Sequence, residues 1–156
     1  MGRRTGAVLV SLLLLLTLAL SASAAAVKMT VGVRFWRESG DKESMADSAV
    51  DTTREATLTR QPNGTFTLEL PVKQLSSMNM TGRLTGIAIG EVNYDGTLSG
   101  DLSDGTAVLT LKNLPASVLT GSDSSKALAV TCSIKMDTIL LGDITTSAKM
   151  SVWVER

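Results

Sequence analysis

The chain has 156 residues, and its 15 basic and 15 acidic residues give a formal net charge of zero. Without a basic excess it lacks the clustered Lys and Arg that nucleic acids and anionic lipids require, so we predict no nucleic-acid partner. It contains no histidine and one cysteine, which excludes histidine-based catalytic units, histidine-ligated metals and an internal disulfide. We predict a binding protein, not an enzyme.

The first 26 residues resemble a secretory signal peptide. Arg3 and Arg4 precede an apolar run over residues 7–20, and small residues fill positions 21–26. This order is typical of a cleaved leader, and the apolar run is shorter than the roughly 20 residues that span a bilayer as a helix. We predict cleavage after Ala24 or Ala26, secretion, and a single mature domain over residues 27–156 without a transmembrane segment.

Apolar and polar residues alternate along most of the mature chain. This period of two predicts strands with one buried face. It is clear over residues 29–35, 66–72, 128–136 and 148–154, and weaker over residues 56–60, 83–92, 97–102 and 107–111. About eight short strands separated by turns predict an all-β sandwich or barrel.

Turn residues separate the predicted strands. The sequence Pro62-Asn63-Gly64 predicts a hairpin, and Asp95-Gly96 and Asp104-Gly105 predict two more, since these dipeptides tolerate a positive φ. The acidic residues at the latter turns are interpreted as turn formers, because a complete calcium-loop pattern is missing. Helix is expected only over residues 44–49.

The alternation also predicts which residues face the core. Cys132 lies on the apolar face of its strand and is interpreted as a small buried hydrophobe, because no neighbouring cation would activate its thiol. The residues expected to point inward are Leu68, Leu70, Val130, Cys132, Ile134 and Val152.

The first third of the mature chain resembles the NEAT (near-transporter) family. The resemblance rests on the segments 33–36, 41–50, 56–58 and 63–70, with Ser44-Met45 at the position of the family's Ser-Met-like pair on a short helix. It implies an immunoglobulin-like β-sandwich on the bacterial cell surface or secreted from it. It also implies haem as the ligand, with haem or a haemoprotein as the partner in iron acquisition.

The resemblance places the ligand between the short helix and the last hairpin. NEAT domains usually ligate haem iron through a Tyr-x-x-x-Tyr motif on the last strand. The corresponding positions here lie near Gly142 and Thr146, and the one tyrosine is Tyr94. Two methionines ligate the iron in a related haem-binding surface protein, which makes Met45 and Met136 the analogous ligands.

The last hairpin also carries apolar residues where turns are normally polar, which indicates a contact surface. The predicted site residues are therefore Ser44, Met45, Met136, Ile139, Leu140 and Ile144. Two interpretations stay open: a haem-binding module, or an adhesive or structural surface module whose partner is another protein or a carbohydrate.

Overall fold

The computed structural model describes residues 25–138, 140 and 142–156. The predicted leader and Ile139 therefore fall outside the described residues, apart from Ala25 and Ala26. Ten strands make up most of the described chain: β1 (Val27–Arg37), β2 (Ala56–Arg60), β3 (Phe66–Pro71), β4 (Leu75–Ser77), β5 (Met80–Ile89), β6 (Val92–Asp95), β7 (Thr97–Ser99), β8 (Val108–Leu114), β9 (Leu128–Met136) and β10 (Asp143–Val154).

The strands form an immunoglobulin-like β-sandwich, as predicted. They are hydrogen-bonded in the order β4-β5-β9-β10-β1-β2-β3-β8-β7, with β6 also paired to β5. This continuous sheet folds over itself around one hydrophobic core. Folding over brings the β5, β9 and β10 half against the β2, β3 and β8 half, because each half buries only one face.

Strand β1 belongs to both halves of the sandwich. Its residues 27–31 pair antiparallel with β2, and its residues 31–37 pair antiparallel with β10. Beyond Val31 the edge of β1 that faced β2 is no longer covered by a strand. The segment that follows β1 covers part of this edge, and this arrangement positions the candidate site.

The predicted core residues all face inward. Leu68, Leu70, Cys132, Ile134 and Val152 are fully buried, and Val130 is nearly so. Alternating burial along β9 and β3 follows from the opposite directions of successive side chains in a strand.

Two of the three predicted hairpins are confirmed. The turn at residues 62–64 joins β2 to β3, and Asp104-Gly105 lies in the turn between β7 and β8. The prediction for Asp95-Gly96 is wrong, because β6 pairs with β5 whereas β7 pairs with β8. The chain crosses between the halves at Gly96, where a Cβ atom would collide with the side chain of Leu109.

Three short 3₁₀ helices lie among the described residues: η1 (Met45–Ala49), η2 (Ala116–Val118) and η3 (Ser124–Lys126). The prediction of a helix at residues 44–49 is confirmed, but its restriction to that region is wrong. Both η2 and η3 are single turns of three residues, too short to leave a period in the sequence. No helix in the described chain is long and apolar enough to cross a membrane.

Candidate functional site

The helix η1 is attached to the free edge of β1 through polar side chains and backbone groups. The Phe35 N–H donates to Oδ1 of Asp47 at 2.7 Å, and the Phe35 carbonyl accepts from the Ser44 N–H at 2.9 Å. The Ser44 hydroxyl in turn accepts from the Ala46 N–H and caps η1. Ser44 is therefore buried and has a structural role as well as its predicted position beside the ligand.

An open cavity of about 580 Å³ lies beside η1, within the size range of small-molecule sites. Its floor is η1 and β1, and its far wall is the region of β4. Most lining side chains are polar. The residues that line the cavity are Arg34, Arg37, Glu43, Ser44, Met45, Asp47, Ser48, Val50, Thr52, Lys73, Ser76 and Ser77. The lining combines three cations and two carboxylates with several hydroxyl groups, so the cavity is polar with a small excess of positive charge.

Arg34 connects β1 to the segment that carries η1. One of its terminal nitrogens is 2.9 Å from Oε1 of Glu43, and its Nε is 4.0 Å from Oδ2 of Asp47, too far for a hydrogen bond. Its guanidinium also lies 5.6 Å from the ring centre of Trp36, within cation–π range. Arg34 is therefore already engaged by Glu43, Asp47 and Trp36 within the protein. Arg37 and Lys73 are the more exposed cations of the cavity.

Burial raises the pKa of Asp47 above its ordinary value, because the charged carboxylate loses water. The hydrogen bond from Phe35 and the positive charge of Arg34 oppose this effect without cancelling it. Burial of Asp47 therefore disfavours its ionised form, whereas its attachment to β1 favours that form.

The two predicted methionine ligands lie in different surroundings. Met45 is partly buried at the start of η1 and lines the cavity. Met136 is 6 % exposed at the end of β9, faces the core, and is absent from the described lining of that cavity. Its sulfur would be 3.0 Å from a Cβ atom placed at Gly82. Iron ligation by the pair stays a prediction.

The last hairpin is held against the neighbouring strand edge at its base. Asp137 accepts a hydrogen bond from the Thr81 hydroxyl at 2.7 Å and another from the Gln74 amide at 3.2 Å. Leu140 is 97 % exposed, whereas Ile144 is partly buried against the core. Among the described residues of the hairpin, Leu140 therefore points to solvent and Ile144 to the interior, and Ile139 and Leu141 lie outside the described residues.

The acidic turn residues Asp101 and Asp104 accept hydrogen bonds from residues of their own loop. Asp101 accepts hydrogen bonds from the backbone N–H and the hydroxyl of Ser103, and these bonds lower the pKa of Asp101. Asp104 accepts hydrogen bonds from the backbone N–H and the hydroxyl of Thr106. Groups of three or more His, Cys, Asp or Glu side chains that could hold a metal ion are missing from the described part of the chain.

Sequence reasoning missed the polar half of the cavity. Arg37, Lys73, Ser76 and Ser77 come from two distant segments, and no local pattern marks them. Arg34 carried a usable signal, since it lies on the outward face of β1 between two apolar inward residues.

No protein-family model matches the chain, and no curated protein matches it. Among solved structures, the chain is similar to the NEAT5 domain of IsdX2, a B. anthracis hemophore, in complex with heme. The TM-score is 0.53 at 12% sequence identity, over 85% of this chain and 99% of that chain. The fold is NEAT-like.

A mutant of the same NEAT5 domain, also in complex with heme, matches with the same TM-score of 0.53 and 12% identity. At this identity the similarity concerns the fold alone. These NEAT-like neighbours are haem-binding domains.

Proposed function

We propose that the protein is an exported haem-binding module. The proposal is carried by one observation: a NEAT-like sandwich places Ser44-Met45 on η1 beside a cavity that also contains exposed cations. The structural neighbours of this fold carry haem. A thioether can ligate haem iron, and a pair of cations can bind the haem carboxylates. The partner is haem itself or a haemoprotein that releases it.

The residues present fit the chemical groups of haem. Arg37 and Lys73 would hold its two carboxylates, since charge-assisted hydrogen bonds to carboxylates are strong. Met45 would contact the apolar macrocycle from the cavity. Leu140 would contact it from the hairpin, and Ile144 would do so only if the hairpin opens. Bound haem would supply an iron that accepts a thioether as a ligand, and Met45 is the residue that would hold it.

Met136 is the weaker candidate of the two methionines. At 6 % exposure its sulfur reaches a ligand only if the end of β9 rearranges. Met136 therefore acts as core filler in this proposal unless haem binding opens the hairpin, and the two roles are separable by substitution.

Hemin titration with an absorbance scan tests the proposal. The parent protein should produce a shifted Soret band that saturates at one hemin per chain. Met45→Ala should change the iron spectrum, whereas Met78→Ala is a matched control because Met78 is 89 % exposed in a turn outside the cavity. Met136→Leu removes the second sulfur while keeping the side-chain volume, so the core survives.

If the parent protein takes up no hemin, the haem proposal is wrong. Uptake that is the same in the parent and in Met45→Ala, with identical spectra, retains haem binding but removes Met45 as the ligand. A spectrum altered only in Met136→Leu assigns the ligand to the hairpin.

The proposed location is extracellular, on or released from a bacterial surface. It is supported by the leader-like segment at residues 1–26 and by a fold whose structural neighbour is a hemophore domain. Amino-terminal sequencing of protein recovered from the culture medium would test both secretion and cleavage after Ala24 or Ala26.

A second candidate function is an adhesive or structural surface module without haem. It is favoured by the polar lining of the cavity beside η1, because haem sites are mostly apolar. This module would bind another surface protein or a carbohydrate. A chain that gives no Soret band with hemin but is retained on cell-wall or host-surface material would support this alternative.

A further inference from the structure

A second cavity, of about 230 Å³, lies where β1 leaves β2. One wall is β1 from Val31 to Arg34, and the opposite wall is the loop over residues 50–56. Trp153 and Glu155 of the β10 end complete the lining. This cavity is separate from the cavity beside η1 at which haem binding is proposed.

The hydrogen-bonding direction of each β1 residue follows from its neighbours. In an antiparallel pair, alternate residues point their N–H and C=O toward one partner and the residues between them point the other way. Phe35 bonds Asp47 and Ser44, on the side away from β10. Val31 pairs with Ala56 of β2 on that same side.

The opposite strand confirms this alternation. The N–H of Glu155 donates to the Thr30 carbonyl at 3.0 Å, so the even-numbered residues of β1 bond β10. Val152, the register partner of Val33, directs its own N–H and C=O to Thr120. The backbone N–H and C=O of Val33 therefore point away from β10, into the space vacated by β2.

Val33 is the single open position on this edge within the described chain. Phe35 is covered by the segment of η1, and Val31 is covered by β2. The backbone of Val33 points away from its register partner Val152, and no hydrogen bond from any other described residue engages it. The residue as a whole is only 6 % exposed. A backbone donor and acceptor this close to the core need a partner.

The surrounding walls are suited to an organic ligand. Trp153 is pressed against the backbone of Gly32, where a Cβ atom would collide with the indole, so the ring position is fixed. Val50, Leu70 and Pro71 add apolar surface. The lining also includes charged side chains, among them Arg34, Asp51 and Arg54. Apolar surface with a few polar groups that converge on one place, here the backbone donor and acceptor of Val33, is typical of ligand sites.

We propose that this cavity binds one extended peptide unit of a partner polypeptide, which pairs with Val33 as a one-residue strand addition. One amino-acid residue presents an N–H and a C=O on the same side in an extended chain, and this pair complements the C=O and N–H of Val33. The closure of the edge at Phe35 and Val31 limits the occupant to a chain end or a loop tip.

The first test concerns the free N–H and needs no ligand. Proline lacks the N–H, so Val33→Pro should cost little more stability than Val33→Ala, since no strand-pair hydrogen bond is lost. Arg34→Pro should be far more destabilising than Arg34→Ala, because the Arg34 N–H belongs to the pairing with β10. Amide hydrogen exchange supplies a readout on the parent: the Val33 amide should exchange much faster than that of Arg34.

The second test measures binding by ¹H–¹⁵N NMR on the labelled protein. N-acetylglycine N-methylamide provides one residue with both groups, and N-acetylsarcosine N-methylamide is its analogue in which a methyl group replaces the hydrogen of the residue's N–H. The glycine probe should shift the Val33 amide and the Trp153 indole signals, and the sarcosine probe should bind about tenfold more weakly.

Three results overturn the proposal. They are a Val33 amide as protected as that of Arg34, equal binding of the two probes, or no shift with either probe at millimolar concentration. The last result means that the cavity holds water only. The Trp36 indole signal, outside the cavity lining, serves as the internal control in each titration.

Discussion

Val130 and Ala129 are neighbours on β9 that face opposite sides of the sheet, since Val130 is buried and Ala129 is exposed. An unpaired carboxylate in apolar surroundings costs several kcal/mol or is forced to protonate. We expect Val130→Asp to lose about 3 kcal/mol or more of unfolding free energy at neutral pH. Ala129→Asp should change it by less than about 0.5 kcal/mol.

Urea denaturation followed by fluorescence measures both variants. An unchanged midpoint for Val130→Asp would mean that β9 has the opposite register in solution. A large loss for Ala129→Asp would instead place that face of β9 against another surface.

Cys132 is fully buried, and burial raises the pKa of its thiol to about 12. At pH 8 the thiol is therefore protonated, and the thiolate is the reactive form. We expect no reaction with a thiol reagent in the folded protein. Reaction should begin with unfolding in urea and follow the same midpoint as fluorescence. Rapid labelling in buffer alone would show that β9 opens locally.

At the scale of elements, η1 depends on one buried carboxylate. Asp47 joins η1 to Phe35 of β1. Asp47→Ala removes the acceptor and should cost about 1–3 kcal/mol. Asp47→Asn keeps an acceptor oxygen and should cost less, which urea denaturation of the two variants at neutral pH would measure. Equal losses in both variants would make the charge, not the acceptor, the essential feature.

The pH dependence distinguishes Asp47 from Asp51. The pKa of Asp47 is raised from 3.8 in the folded protein, so its stabilising contribution is present below that value and is lost as pH rises through the raised pKa. The pKa of Asp51 is lowered by hydrogen bonds from Thr53 and Arg54, so its contribution is present above 3.8 and is lost on acidification.

Each Asp→Asn variant should therefore change stability with opposite pH trends. Relative to the parent, Asp47→Asn should gain stability as pH rises above 3.8, and Asp51→Asn should gain stability as pH falls below 3.8. Urea midpoints measured from about pH 2.5 to 7 give both differences. Parallel trends for the two variants would contradict the assigned environments.

Sequence patterns located the elements whose burial alternates and missed those set by tertiary contacts. Strand β9 is buried on alternate residues, so its period is visible in the sequence. Strand β4 has three residues and β6 has four mostly exposed ones, so neither could leave a period. Ser44 capping η1 was predictable because serine is a preferred N-cap residue, whereas Lys73 and Ser76 reach the cavity only through the packing of η1 against β4.

At the scale of the whole molecule, the two halves share one core and one strand. Because β1 pairs with both β2 and β10, neither half keeps its full set of pairings without the other. We expect a circular dichroism spectrum dominated by β-structure. Thermal or urea unfolding should be a single transition, with coincident midpoints by dichroism and tryptophan fluorescence. Two separated transitions would mean that the halves unfold independently, and a helix-dominated spectrum would contradict the fold.

The pairing of β1 with β10 joins the first and last strands of the described chain. A ribosome releases residues in order, so the earliest strand waits for the latest one before the sandwich can close. Local hairpins such as β2–β3 can form early, but the joint between β1 and β10 requires every strand between them to be present. Such an order of assembly delays closure of the sandwich until β10 has been synthesised, and until then residues 31–37 of β1 lack their partner strand.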